Sequence, residues 1–516
     1  MHMSKMTERR CITWVILIAL ISHGIVAYLH ILYGGQNIDE GFYALAARAV
    51  CRGELPFRDF GYTQMPLLPY VNGAFLKFIG YGIFQQRAVN GVWALLTLMA
   101  GGWWLARRTG IVWAVLFISV LTVSPFWMYF THLGKTYALT GLTVMAGFLV
   151  FSECRAGVKR TVLLALIGTV GVGCRLSVGP FFAVLWIGSF LEHRLSSWRQ
   201  YAAALAGSFL CPVVLLLPFY LAAPESAYFW SVDFFVISVP NRTWHQTWRD
   251  ICAIAPALWL SVALGLGHAV LSGKTTFRFR EWVVACATLG ALVANVLPQG
   301  AYDEYGTPFI PILALVAGLG MWELSEKIPM LKTPIFPVSL WAVNLGLGVA
   351  LLWGGIPQDR YGTWSLLLPL NAPAYNRLLP ENIFHASQVV RNYLPHGRPF
   401  LGPHLILAAE TDSEVPRELR MGAFSITTEY PPAKAKQLNL ATPDDVRRYL
   451  ADPRIPVLAF TKNAVLNYNY SVPSGALSKQ MVEGTAKLSE NFMVAYEDAE
   501  FFILVRKNAQ PVTREP

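Results

Sequence analysis

Asp39 and Glu40 stand side by side directly after the first long apolar stretch, in the segment Gln36-Asn37-Ile38-Asp39-Glu40-Gly41-Phe42-Tyr43. Two carboxylates at the rim of a hydrocarbon layer are where water-side chemistry on a lipid-borne substrate would be placed. Asp39 suits a general base, or an electrostatic partner for the positive carbon that develops when a glycosidic bond breaks, because that transition state is oxocarbenium-like. It equally suits the N-cap of a following helix, and the two roles are compatible. Glu40 fits a catalytic role and a first-turn acid favoured by the helix dipole about as well.

Four cations stand near the same level. Arg175 interrupts an apolar stretch between two short hydrophobic segments, where a guanidinium without a partner is expensive; the alternatives are a bound anion or a structural pair with a carboxylate or carbonyl. Lys135 lies in the very short connector His132-Leu133-Gly134-Lys135-Thr136-Tyr137, placed either for chemistry or for snorkelling to lipid head groups. Arg242 and Arg249 bracket Trp244 and Trp248, which read as interface anchors, with His245 a hydrogen-bonded surface residue. A second acidic pair, Asp303-Glu304, and the single Asp233 could bind an acceptor or coordinate a cation together with Asp39; solvated loop charges are the ordinary alternative.

The elements that must position these groups follow from composition. Of the 516 residues, 54% are hydrophobic and 14% charged, with a mean hydropathy of +0.43, well away from the roughly 25% charge of soluble domains. The fold class is therefore mainly α, a polytopic transmembrane helical protein. About eleven stretches reach the apolar character a spanning helix needs: 11–33, 87–106, 111–130, 137–151, 161–174, 178–192, 201–221, 251–271, 282–298, 307–323 and 335–355. If they alternate, Arg9, Arg10, Arg107, Arg108, Arg155, Lys159, Arg160, Arg194, Arg199, Lys274, Arg278, Arg280, Lys327 and Lys332 share one side, so the amino terminus is inside. The net charge of +10 is then a topology signal, and no basic-aromatic module points to nucleic acid. The first stretch reads as a retained anchor rather than a cleaved leader. The cysteine positions fit neither a disulfide framework nor a zinc site.

Loops 34–86, 131–136, 222–250 and 299–306 then face outward, with everything after about 356. Within 34–86, Phe42, Leu45, Ala46, Ala49 and Val50 recur at helical spacing, with Arg48 and Arg52 on the other face, which predicts an interfacial helix on the membrane surface. The tract from Tyr62 to Gly80 predicts a second interfacial helix or a half-buried segment. The chain divides into a membrane unit, 1–355, and an extracytoplasmic α/β domain, 356–516, with helices at 384–394 and 442–451 and strands at 456–460 and 500–505; Thr442 caps the second helix.

The run Ile38-Asp39-Glu40-Gly41-Phe42-Tyr43-Ala44-Leu45-Ala46-Ala47-Arg48, then Pro66-Leu67, Arg175-Leu176-Ser177 and Tyr305-Gly306-Thr307-Pro308, in that order, resembles the GT-C type membrane glycosyltransferases. The resemblance is to the bacterial branch related to the protein O-mannosyltransferases and the lipid A aminoarabinose transferase, and in layout it covers most of the chain. It implies that a sugar passes from a polyprenyl phosphate to an unspecified lipid, glycan or protein acceptor on the outer face of the inner (cytoplasmic) membrane, that Asp39 is the catalytic acid or base, and that cations hold the carrier phosphate. Arg175, Lys135, Arg242 and Arg249 are the candidates, since a phosphate near hydrocarbon needs such donors. Inversion at the sugar follows from the same analogy.

Two departures from the family pattern bear on metals. A Lys-Pro-Pro segment of relatives is replaced by Gln64-Met65-Pro66, and an acidic residue after the third span by Gly134-Lys135-Thr136. Lys135 is expected to compensate for the missing phosphate ligand. Because Mg²⁺ is usually bound by carboxylates and phosphates together, transfer is expected to need no metal, and no other cofactor is indicated. The rival readings are a transporter or flippase of lipid-linked sugars and a non-catalytic envelope assembly protein; the odd number of spans and the lack of half-to-half symmetry argue against the usual transporter build.

Overall fold

A computed structural model of the chain describes residues 5–34, 37–192, 197–237, 243–248, 256–271, 278–298, 301–328, 339, 380–394, 397–402, 404–461, 491–498 and 501–511. The eleventh predicted span (apart from Ser339), the boundary near 356, Arg242 and Arg249 lie outside the described residues. Helices overlie the ten other predicted stretches. The first eight helices are α1 (Lys5–Tyr33), α2 (Glu40–Cys51), α3 (Leu67–Ile79), α4 (Ile83–Thr109), α5 (Ile111–Val123), α6 (Pro125–His132), α7 (Tyr137–Glu153) and α8 (Val158–Cys174). Helices Gly179–Glu192, Trp198–Leu215, Pro256–Leu271, Phe279–Val296 and Ile310–Lys327 follow in the bundle. Among the described residues four segments, Thr13–Leu32, Ile83–Thr109, Phe279–Val296 and Glu304–Lys327, are long and apolar enough to cross a bilayer.

Two stretches expected to be continuous are broken at proline. Ser124 is extended, with ψ 111°, because Pro125 disfavours the helical region for the residue before it, so 111–130 becomes α5 and α6. Likewise 201–221 divides at Leu216, ahead of a short helix, Leu217–Ala222, that has Pro218 in its first turn.

Three of the residues predicted to share the inner side, Arg108, Arg160 and Arg280, gather at one end of the bundle. Arg108 reaches Glu153 at 3.1 Å and Glu281 at 3.3 Å, while Glu192 accepts Arg160 at 2.6 Å and Arg280 at 2.7 Å. α4 runs from that cluster to the opposite end, a 27-residue helix about 40 Å long. The backbone N–H of Ile83, at its start, donates to Glu410 at 2.6 Å. α1 packs along α4 and α5, and α7 packs on α4 and α8, around a core that includes Trp104, Phe117, Trp127, Phe148, Phe181 and Leu313.

The first loop departs from expectation. α2 does not lie on a membrane surface: Glu40 through Val50 are all buried. Its polar face docks on the carboxy-terminal region, with Arg48 buried there and Arg52 exposed at the rim. Arg48 pairs with Asp412 at 2.8 Å and donates to the carbonyls of Ala408 and Ser413, and Arg52 pairs with Glu414. The small residues of α2 let backbones approach closely. A Cβ on Gly41 would stand 2.8 Å from Leu405 Cβ and nearer still to the Ile406 backbone. Gly41→Ala therefore has to push α2 off the Leu405–Glu410 helix, an overpacking cost of about 1–3 kcal/mol, read as a loss of detergent or denaturant resistance; unchanged resistance would contradict this packing. α3 keeps the half-buried character expected for 62–80, with Leu68, Asn72 and Leu76 inward and Phe75, Phe78 and Ile79 exposed. Its 13 residues, about 20 Å, are too few to cross a bilayer alone.

The carboxy-terminal region carries a four-stranded sheet of β1 (Phe400–Leu401), β2 (Val457–Thr461), β3 (Phe492–Glu497) and β4 (Phe501–Arg506) in the order β1-β2-β4-β3. β1 and β2 are parallel, and the pairs of β4 are antiparallel. The expected helices and two strands are present. Thr442 caps Pro443–Ala451 in a reciprocal bond with Asp445. β1 and β3 are additions. The inner face of this sheet and α2 share one hydrophobic core, with Phe42, Leu45, Ile406, Val457 and Ile503 among its members. Trp230 Nε1 adds a bond to the Leu438 carbonyl at 2.7 Å, Asn439 Nδ2 donates to the Phe57 carbonyl at 2.7 Å, and Arg420 pairs with Glu54. The region is thus fastened over the end of the bundle where α2 begins.

Candidate active site

Asp39 sits at the foot of α2 in a local turn: its N–H donates to Asn37 Oδ1 at 3.0 Å. The backbone there is already helical, φ −70° and ψ −24°, and the side chain makes no capping bond. The carboxylate is free to turn away from the helix and meets Lys135 Nζ at 2.8 Å. Asp39 thus occupies the N-cap position without making the capping bond.

Lys135 is presented by the connector between α6 and α7. The turn closes by a bond from Lys135 N–H to the Leu133 carbonyl at 2.7 Å, and Asn90 Nδ2 donates to that same carbonyl. A Cβ on Gly134 would stand 2.7 Å from Gln86 Oε1 and require that side chain to shift, and the Gly134 N–H donates to Glu40 Oε1 at 2.9 Å. Across the site, the 3-10 segment Asp303–Phe309 brings Glu304 to Lys135 Nζ at 3.0 Å and to the Tyr137 hydroxyl at 2.6 Å. Lys135 thus lies between two carboxylates. Its side chain is 4% exposed, while those of Asp39 and Glu304 keep 21% and 17%. Burial alone would lower the affinity of this amine for its proton; Asp39 and Glu304 outweigh it and hold Lys135 well above the ordinary lysine range.

Arg175 ends α8 in extended backbone, φ −157° and ψ 117°, which swings its side chain out of the helical path. The guanidinium is buried between two rings, 4.6 Å from the centroid of Tyr137 and 4.5 Å from that of Tyr305. Nε donates to Ser177 Oγ at 3.0 Å and Nη1 to Thr136 Oγ1 at 3.1 Å. Ser177 is steadied in turn, its carbonyl accepting from Asn295 Nδ2 at 2.8 Å. Among the described side chains no carboxylate lies within ion-pair distance of Arg175, although Glu304 is within electrostatic reach of it. Tyr137 links the two halves of the site, since its ring underlies Arg175 and its hydroxyl holds Glu304. Tyr43 of α2 lies within electrostatic reach of Lys135, Asp39, Arg175 and Glu304, and burial pushes its phenol up.

Glu40 occupies a different position from its neighbour. Its carboxylate is fully buried and takes Arg87 in a two-pronged pair, Nε to Oε1 and Nη2 to Oε2, both 2.9 Å. It also accepts the N–H groups of Asn37 at 3.0 Å and Gly134 at 2.9 Å. Arg87 completes the junction by donating to the carbonyls of His30 at 3.1 Å and Gly34 at 2.7 Å. With its oxygens used and no exposure, Glu40 is closed off from any substrate. The pairing of Asp39 and Glu40 as two water-side acids is corrected accordingly.

The structure therefore brings together Asp39, Lys135, Glu304 and Arg175. Asp303 opens the same 3-10 segment as Glu304, and Asp233 lies on a single π turn, Phe229–Asp233. Trp244 and Trp248 are exposed. Groups without a role in the sequence reading are Arg87, Tyr43, Tyr137, Tyr305, Thr136 and Ser177. An arginine at the start of an apolar stretch was the available signal for Arg87.

No protein-family model matches the chain, and no curated protein sequence matches it significantly. Solved structures do. ArnT from Cupriavidus metallidurans bound to undecaprenyl phosphate superposes with a TM-score of 0.62 at 13% identity, covering 95% of this chain and 98% of that chain. The apo state of ArnT gives 0.62 at 14% identity, covering 95% and 97%. The arabinofuranosyltransferase AftD from Mycobacteria gives 0.48 at 14% identity, covering 96% of this chain and 40% of that chain.

Proposed function

We propose that this chain, a membrane protein with the GT-C fold, is a glycosyltransferase that moves a sugar from a polyprenyl phosphate to an acceptor on the outer face of the cytoplasmic membrane. The observation that carries this reading is Arg175: a buried guanidinium packed against two aromatic rings, bonded to two hydroxyls and to no described carboxylate, beside a lysine flanked by carboxylates. A buried cation is costly unless an anion joins it, and a lipid phosphate supplies one with acceptor oxygens to match. The likeness in fold to ArnT, which has been solved with undecaprenyl phosphate, points to the same ligand class.

In this reading Arg175 takes the phosphate and stabilises its charge as the sugar leaves, while Lys135, an ammonium with three donors, keeps one for a phosphate oxygen after serving Asp39 and Glu304. Asp39, with the more exposed of the two carboxylates, orients and deprotonates the acceptor. Glu304 borders the same open side and is the acid proposed for acceptor contact, with Asp303 beside it. Arg242 and Arg249 remain proposed as further phosphate contacts. A single displacement with no enzyme nucleophile gives inversion. The carboxy-terminal region, fastened over this end of the bundle, is proposed to face the periplasm or exterior and to shape acceptor choice.

Arg175→Ala tests the proposal. Losing a charge-assisted bond worth about 1.5–3 kcal/mol weakens undecaprenyl phosphate binding by roughly 10–150-fold, measured on the full chain in nanodiscs, with Asp39→Asn binding as wild type. Wild-type affinity in Arg175→Ala would overturn the assignment of the phosphate.

A further inference from the structure

We propose that the Lys135 ammonium is a tethered counter-ion that occupies the place of a divalent metal between Asp39 and Glu304, and so makes the site independent of metal. The argument starts from electrostatics. Two carboxylates that approach one point cannot both stay ionised in a sheltered setting unless a cation joins them. Here the joining cation is Nζ, 2.8 Å from Asp39 Oδ2 and 3.0 Å from Glu304 Oε1. It is sealed on its own side at 4% exposure and cannot drift away, because its connector is pinned through Gly134 to the buried Glu40 and Arg87 pair.

A metal does not fit alongside it. Mg²⁺ needs its oxygens at about 2.0–2.1 Å in a near-octahedral shell, and the gap between these two carboxylates is already filled by a nitrogen without a lone pair to give. Among the described residues no group of three or more His, Cys, Asp or Glu is placed to hold a metal. The third oxygen at hand is the Tyr137 hydroxyl, 2.6 Å from Glu304, a weak ligand while it keeps its proton. Lys135 is thus a positioning residue for Asp39: it fixes the carboxylate, and does so with one unit of charge that no chelator can remove.

The consequence is that removing the amine uncovers a two-carboxylate cation site. The inference rests on the proposed function only for the catalytic meaning of Asp39; the readout is metal binding, so the two can fail separately. Mn²⁺ is titrated into the full-length protein in nanodiscs and followed by electron paramagnetic resonance. Wild type is expected to show no site that depends on Asp39. Lys135→Ala, and the near-isosteric Lys135→Gln in case the alanine variant does not fold, are expected to gain about one Mn²⁺ site per chain, at least about tenfold tighter than wild type, and to lose it again when Glu304→Gln is added. Two results would overturn the proposal: a wild-type Mn²⁺ site abolished by Asp39→Asn, or a folded Lys135 variant with no gain. Should neither Lys135 variant fold, the wild-type titration decides.

Discussion

Asp39→Asn is expected to lower turnover by roughly 10²–10⁴-fold, the usual worth of a positioned general base, while leaving carrier affinity and folding close to wild type. The amide keeps the shape of the carboxylate and can still accept from Lys135, whose second carboxylate, Glu304 at 3.0 Å, remains. What is lost is the group that takes the acceptor proton. Single-turnover rates with a polyprenyl-phosphate sugar separate this from a binding defect. A transporter of lipid-linked sugars would behave differently: it would keep moving carrier across the bilayer in the Asp39→Asn form, and that result would displace the transferase reading.

Glu40→Gln carries the second large effect, on stability rather than on chemistry alone. Breaking a buried ion pair from one side leaves an uncompensated charge, here the guanidinium of Arg87, at a cost of about 3–5 kcal/mol. Because Glu40 also anchors the Gly134 N–H, loosening it displaces Lys135, so activity is expected to fall along with resistance to denaturant. Replacing both partners together, Glu40→Gln with Arg87→Met, is expected to recover most of the stability, because no buried charge is then stranded. If Glu40→Gln abolished turnover with stability unchanged, Glu40 would be a catalytic acid after all.

Much of the site was legible in the sequence because each of its charges stands out against an apolar background. Asp39 follows the first apolar stretch, Arg175 interrupts another, Lys135 occupies a connector of a few residues, and Glu304 belongs to an acidic pair. What one dimension hides is which charge answers which. Lys135 and Glu304 are 169 positions apart, and only the return of the chain through the bundle places them at 3.0 Å. For the same reason the sequence pointed to Lys135 as a phosphate ligand without showing the two carboxylates it also serves. Adjacency misled in the case of Glu40, since at the foot of a helix neighbouring side chains diverge, and Glu40 points to Arg87 while Asp39 points to Lys135.

The fold shows the same division. Hydropathy located ten helical stretches and the Thr442 cap, because both are local properties. α2 was misplaced because an amphipathic pattern says that one face is apolar and the other polar, not what the polar one meets; Asp412 and Glu414, more than 350 residues away, pair with it. Proline breaks at Ser124 and Leu216 were readable from Pro125 and Pro218 but were outweighed by continuous hydropathy.

A density map of the protein with undecaprenyl phosphate in nanodiscs tests the central claim most directly. The phosphate is expected within hydrogen-bonding distance of the Arg175 guanidinium, on the side where Lys135 lies between Asp39 and Glu304. A phosphate bound elsewhere, with Arg175 still held only by Ser177 and Thr136, would contradict the account.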